Sequence, residues 1–167
     1  MKNIQQLILS ILIFSLFAGA SHAQDKTQQN IVTLMSFGDW VVRCEQVDKS
    51  SEPCTMTQKV VNPETKRVML EANVAKNGNA TLLTMVLPLG VYLPAGLELE
   101  VVGWEKRQYS YSFCATSGCF INELVDEKMV EVLRKKEKAM VTLYTSKDEK
   151  VIVPISIAGF LDAYKKL

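Results

Sequence analysis

Histidine is almost missing from this chain. The single copy, His22, lies in an N-terminal segment that reads as a leader to be removed. A mature chain without histidine has no Ser-His-Asp or Cys-His catalytic arrangement and no histidine-ligated zinc, copper or iron. General acid–base work by imidazole is excluded with them. An excess of charge of either sign is also lacking. Of 19 Lys and Arg only Lys2 lies in the leader, so 18 basic residues face 18 acidic ones in the remainder. A neutral surface is a poor partner for nucleic acid, whose affinity comes from neutralising phosphates, and for electrostatic docking on anionic lipid. Long apolar runs are absent after the leader, so the sequence predicts no membrane-spanning helix.

What is present starts with that leader. Lys2 supplies a positive n-region, Leu7 to Phe17 an apolar h-region, and Ser21-His22-Ala23 small residues at a cleavage site. Residues 1–23 therefore read as a secretory signal peptide, with cleavage before Gln24. The h-region is too short to span a hydrocarbon core of about 30 Å. The expected compartment is the periplasm or the outer surface of a Gram-negative cell, with at most peripheral attachment to the envelope. Residues 24–36 begin polar and aperiodic and read as a flexible mature N-terminus. The folded domain is expected over residues 37–167, a length able to bury its own core.

Four cysteines remain: Cys44, Cys54, Cys114 and Cys119. An even count in an exported chain reads as disulfides, and four cysteines allow three pairings. Cys44–Cys54 and Cys114–Cys119 are favoured because each closes a short loop. Chain entropy assigns such a loop about 2 to 3 kcal/mol. The spacings of nine and four intervening residues fit neither a Cys-x-x-Cys redox site nor paired zinc knuckles. No metal site, cofactor or catalytic residue is expected.

Along the domain the dominant period is two. Trp40, Val42 and Cys44 alternate with polar neighbours, as do Leu70, Ala72 and Val74, then Leu97, Leu99 and Val101, then Tyr109, Tyr111 and Phe113. These read as half-buried antiparallel strands. Leu82–Leu87 and Met140–Thr145 are more evenly apolar and read as central strands. Pro154, which cannot donate to a ladder, points to a strand end or an edge strand at Val151–Ile155. Asn77-Gly78-Asn79 predicts a hairpin, and Asn62 to Lys66 a second turn. Two short helices are expected: Glu127–Lys136 capped by Asp126, and a last one capped by Ser156 with Ile157, Phe160, Leu161 and Tyr164 on one face. The fold class is mostly β, a single antiparallel sandwich-like domain with two short helices and two disulfides. A small outer-membrane barrel is the rival that the length allows, and the helical segments and cysteines argue against it.

Four blocks give the chain a family resemblance. They are Phe37-Gly38-Asp39-Trp40-Val41-Val42-Arg43-Cys44 with Cys54-Thr55-Met56; Leu87-Pro88-Leu89-Gly90-Val91-Tyr92-Leu93-Pro94-Ala95-Gly96-Leu97; Tyr111-Ser112-Phe113-Cys114 through Gly118-Cys119; and Pro154-Ile155-Ser156-Ile157-Ala158-Gly159-Phe160. In this order they resemble the invasion-associated locus B family of exported bacterial proteins. The resemblance implies a compact β-rich exported domain associated with virulence and host-cell invasion, red cells in the name-giving case. It implies no catalytic residues. Ala158 departs from the pattern, where a longer and often basic residue is expected.

The residues singled out for binding follow from loop composition. Leu89, Val91, Tyr92 and Leu93 lie between two Pro-x-Gly turns, Pro88-Leu89-Gly90 and Pro94-Ala95-Gly96. Such a segment either folds down as a plug over the sandwich or stands out as a partner patch, the plug being favoured. Thr116 and Ser117 fall inside the second cysteine pair, a rigid loop tip. Trp104 lies beside charges, as interface anchors do, although a tryptophan capping a strand end reads the same way. The expected function is non-enzymatic: binding a protein partner or a host-cell surface component during erythrocyte invasion. The alternative is a periplasmic accessory protein that supports envelope integrity or assembly without touching the host.

Overall fold

The structure, a computed structural model, describes residues 31–48, 51–104 and 106–167. The expected signal peptide and the first residues of the expected flexible N-terminus lie outside these residues. Eleven strands and two helices are present among the described residues. The strands are β1 (Val32–Phe37), β2 (Trp40–Glu45), β3 (Cys54–Val61), β4 (Val68–Asn77), β5 (Ala80–Leu87), β6 (Leu97–Val101), β7 (Arg107–Tyr109), β8 (Phe113–Ala115), β9 (Gly118–Leu124), β10 (Lys138–Tyr144) and β11 (Lys150–Ser156). Helix α1 is Glu127–Leu133 and α2 is Phe160–Tyr164.

The strands form two antiparallel sheets. One runs β1-β2-β3-β4-β5-β9-β8 and the other β11-β10-β6-β7. Both have free edges, so this is a sandwich and not a closed barrel. Period-two alternation builds the core. Trp40, Val42 and Cys44 of β2, Leu70, Ala72 and Val74 of β4, and Leu83, Met85 and Leu87 of β5 face Leu97, Leu99 and Val101 of β6 and Val141 and Val153 of β10 and β11. The expected central strands β5 and β10 are internal to their sheets, and the strand holding Pro154 is an edge.

A buried polar clamp ties the sheets together. Gln58 of β3 donates through Nε2 to Ser156 O at 2.9 Å, and its Oε1 accepts from Ser156 N at 2.9 Å. Trp40 Nε1 donates to the same carbonyl at 3.0 Å. Gln58 is 4% exposed and fully partnered, as a buried amide must be. Next to this clamp the Phe160 ring meets Trp40 edge-on, with centroids 5.3 Å apart. At the far end of α2 the Tyr164 hydroxyl bonds Thr81 Oγ1 at 3.0 Å. Helix α1 is capped as expected: Asp126 Oδ1 accepts from Met129 N at 2.6 Å. The two helices thereby cover the side of the sandwich where β5 begins.

Four expectations need correction. The fold starts before Phe37, because Val32–Phe37 pairs along its whole length with β2; the uncharged alternation of this stretch is a strand pattern that the polar residues before it obscured. Tyr109, Tyr111 and Phe113 do not share one strand. β7 ends at Tyr109 in the smaller sheet and β8 begins at Phe113 in the larger one, so the chain changes sheets at Tyr111. Ser156 ends β11 instead of capping a helix. The helix begins at Phe160 after the N-cap Gly159, which is in the left-handed region at φ 81° and where a Cβ would run into Phe37 O. Finally, α1 stops at Leu133, short of Lys136.

Candidate functional site

The end of the sandwich opposite the helices is built from loops. β5 leaves the larger sheet at Leu87, and the chain returns as β6 at Leu97. Both terminal leucines are buried, 1% and 0% exposed. Between them the plug and patch readings each hold for part of the segment. Val91 and Tyr92 are half-buried, while Leu89 and Leu93 are 59% and 49% exposed. The loop is held at several points. Tyr92 N donates to Tyr144 O at 2.7 Å, Gly96 N to Leu93 O at 3.1 Å, and Gln108 Nε2 to Ala95 O at 2.8 Å. Gly96 has φ 66° and lies so close to Tyr109 O that a Cβ would collide with it. That close approach explains the second Pro-x-Gly turn.

Two neighbouring turns complete this end. Asn62 Oδ1 accepts from Glu64 N and Thr65 N, both at 2.9 Å, which fixes the β3–β4 turn. A groove runs between this turn and the loop, lined by Arg67, Val68, Leu89, Val91, Thr145 and Val151 among others. Arg67 is the one charged residue in its lining. A second hollow, reaching Ser117, shares Val68 and Pro88 with the groove. The disulfides pair as expected, Cys44 with Cys54 and Cys114 with Cys119. Each joins residues directly opposite in the ladder. The second holds the hairpin that carries Thr116 and Ser117, both exposed.

The structure thus gathers Leu89, Val91 and Ser117 at one end and leaves Trp104 out. Trp104 follows β6 at its other end, half-buried, with the Arg107 guanidinium 4.2 Å from its ring centroid. Arg107 also reaches Asp126 at 3.5 Å. This matches the strand-end reading of Trp104. Arg67 and Val68 escaped the sequence reading because they sit in a turn and at a strand start, where composition carries no distinctive signal.

Two tyrosines near the sheet switch are perturbed by burial. The Tyr111 hydroxyl is enclosed without a hydrogen-bond partner, and burial pushes it up to about 12. Tyr109 is raised by burial too, although Arg107 hydrogen-bonds it and pulls the other way. Asp126 is held below the ordinary carboxylate range, chiefly by the Met129 N–H. Arg107 thus stands between Tyr109 and Asp126 and touches both. No cluster of His, Cys, Asp or Glu suited to a metal is present among the described residues, and no helix among them is long and apolar enough to cross a membrane.

The described residues form a two-sheet sandwich stapled across neighbouring strands, with its helices on one side and its loops at the far end. The chain belongs to the invasion associated locus B (IalB) protein family, whose model matches residues 40–167. This is not known as a family of enzymes. Among solved structures the chain is similar to invasion associated protein B from Bartonella henselae. The similarity has a TM-score of 0.70 at 19% identity and covers 80% of this chain and 93% of that one. No curated protein is significantly similar to the chain.

Proposed function

We propose that this is an exported, non-enzymatic virulence protein of a Gram-negative envelope that takes part in host-cell invasion by binding, with the Leu87–Leu97 loop end as its contact surface. Family membership supports the association with invasion. One observation supports the choice of surface: Leu89 and Leu93 stand out on a loop whose backbone is tied down at Tyr92, Ala95 and Gly96. Apolar side chains presented on an ordered loop lose little conformational freedom on binding and gain by leaving water. The groove beside Leu89 offers apolar walls and a single cation, Arg67. A host-surface or envelope protein with an apolar side chain next to a carboxylate matches that chemistry.

The exported protein should bind erythrocyte membranes saturably. The Leu89→Ser/Leu93→Ser double variant should bind at least about tenfold more weakly, the loss of roughly 1.4 kcal/mol expected of interface anchors, with an unchanged melting temperature. If the folded protein does not bind, and impermeant labels reach it only after the outer membrane is opened, the reading as a periplasmic accessory takes its place.

A further inference from the structure

We infer that β1 is the dimerisation edge of this protein and that its occupant is β1 of a second copy. The two sheets present four edge strands: β1, β8, β11 and β7. An edge strand exposes unpaired N–H and C=O groups, and proteins block it with charge, proline or shortness. Three of the four are blocked in these ways. β8 has three residues and is stapled to β9 by Cys114–Cys119. β7 has three residues and begins at Arg107. β11 carries Lys150 and Pro154. β1 has none of these defences. Its six residues, VTLMSF, hold no charge and no proline, and its register with β2 is unbroken from Val32 to Phe37.

The hydrogen-bond phase shows which groups are open. Gln46 N donates to Ile31 O at 2.9 Å, so position 31 is a hydrogen-bonded position of the β1–β2 ladder. Alternation in an antiparallel pair then puts 33, 35 and 37 in the same class. The N–H and C=O groups of Val32, Leu34 and Ser36 point away from β2, and no other part of the described chain pairs with them. On the outer face Val32, Leu34 and Val41 are 43%, 66% and 42% exposed.

A second copy fits this edge better than an unrelated strand. Antiparallel pairing of β1 with itself is the two-fold arrangement that closes on a dimer. Centred on Leu34, it sets Leu34 opposite Leu34 and Val32 opposite Ser36, matching every outward group with its counterpart. The pairing brings no charge against charge, because residues 31–37 are uncharged. A net charge of +1 on the whole chain leaves no long-range repulsion between copies. Leu34 and its partner would cover the apolar strip that both now expose.

Sedimentation equilibrium of the exported protein, with backbone amide exchange read on the same sample, tests this. The protein should dissociate from dimer to monomer on dilution. Amides of Val32, Leu34 and Ser36 should be protected in the dimer and exchange fast in the monomer. Leu34→Lys sets two like charges opposite each other and should weaken the dimer at least about tenfold. Leu124→Lys, at an equally exposed position on β9 (71% exposed), should leave it intact. A monomer at every concentration overturns the proposal, as does a dimer indifferent to Leu34→Lys. Protection of those three amides in a monomer would show the edge to be covered by some other strand, and would overturn it too.

Discussion

Replacing Tyr111 by phenylalanine should stabilise this protein, against the usual direction of core substitutions. The Tyr111 hydroxyl is enclosed without a partner. A buried unsatisfied hydroxyl costs about 1 to 3 kcal/mol, and removing it leaves the ring packing in place. We expect a gain of about 1 kcal/mol, or roughly 3 to 5 °C in melting temperature for a domain of this size. Tyr109→Phe provides the contrast. That hydroxyl is bonded to Arg107, so its removal should cost about 1 to 2 kcal/mol. The alkaline limb of stability gives a second readout. Burial raises the Tyr111 pKa from 10.0 to about 12, so the unfolded chain releases this proton first. Its contribution is therefore complete below pH 10 and is lost as pH rises from 10 to 12. In Tyr111→Phe that part of the decline should vanish, while the part from Tyr109 persists. Thermal unfolding under non-reducing conditions, followed by circular dichroism across this pH range, measures both effects. A melting temperature lowered by more than about 2 °C in Tyr111→Phe would refute the reasoning, because it would mean that the hydroxyl has a partner, such as a buried water.

Four further outcomes are expected. Asp126→Ala removes the cap of α1 and should lower the midpoint of chemical denaturation. Because the Asp126 pKa is lowered in the fold, the stability it adds is present above its unfolded value of about 3.8 and is lost as pH falls through the folded one, so variant and parent should converge in acid. Gly159→Ala forces a Cβ onto Phe37 O at a left-handed residue and should cost several-fold more than Gly78→Ala, where nothing lies nearby and only the backbone conformation is strained, at roughly 1 kcal/mol; relative expression and melting temperature report the difference. Removing Cys114–Cys119 by a double serine variant should cost about 2 kcal/mol and removing Cys44–Cys54 about 3 kcal/mol, following loop length, as midpoint shifts in urea. Gln58→Leu leaves Ser156 N without its acceptor and should cost about 2 to 3 kcal/mol, read in the same titration.

Period-two alternation was enough to place most strands, the two central ones and the proline-bearing edge, because burial on one face writes itself directly into the sequence. The disulfide pairing was legible for a related reason: short loops between cysteines match strands already expected to be neighbours. Gln58 shows where this kind of reading stops. It occupies an inward position between Met56 and Val60. Its polarity looks like a break in the pattern until Ser156, from the other sheet, is seen to take both ends of its amide. The switch of sheets at Tyr111 is hidden in the opposite way, since Tyr109 and Phe113 keep the alternation running across two different strands. Of the loop end, the Leu89–Leu93 segment stood out by its paired Pro-x-Gly turns. The groove beside it did not, because Arg67 and Val68 meet Leu89 and Val151 only through contacts between turns far apart in the chain.

The placement of polar contacts separates stability from binding along β5. At its start, Thr81 is bonded to Tyr164 of α2, and across the core Gln58 and Trp40 converge on Ser156. Losing one of these leaves a buried group unpaired. At its end, beyond the buried Leu87, the chain is held by backbone bonds from Tyr92 and Gly96 and by the Gln108 side chain on Ala95 O, none of which uses the side chain of Leu89 or Leu93. Leu89 and Leu93 contribute little burial there, so replacing them forfeits little of the roughly 25 cal/mol per Å2 that apolar burial supplies. Such an arrangement lets the loop surface vary without endangering the fold.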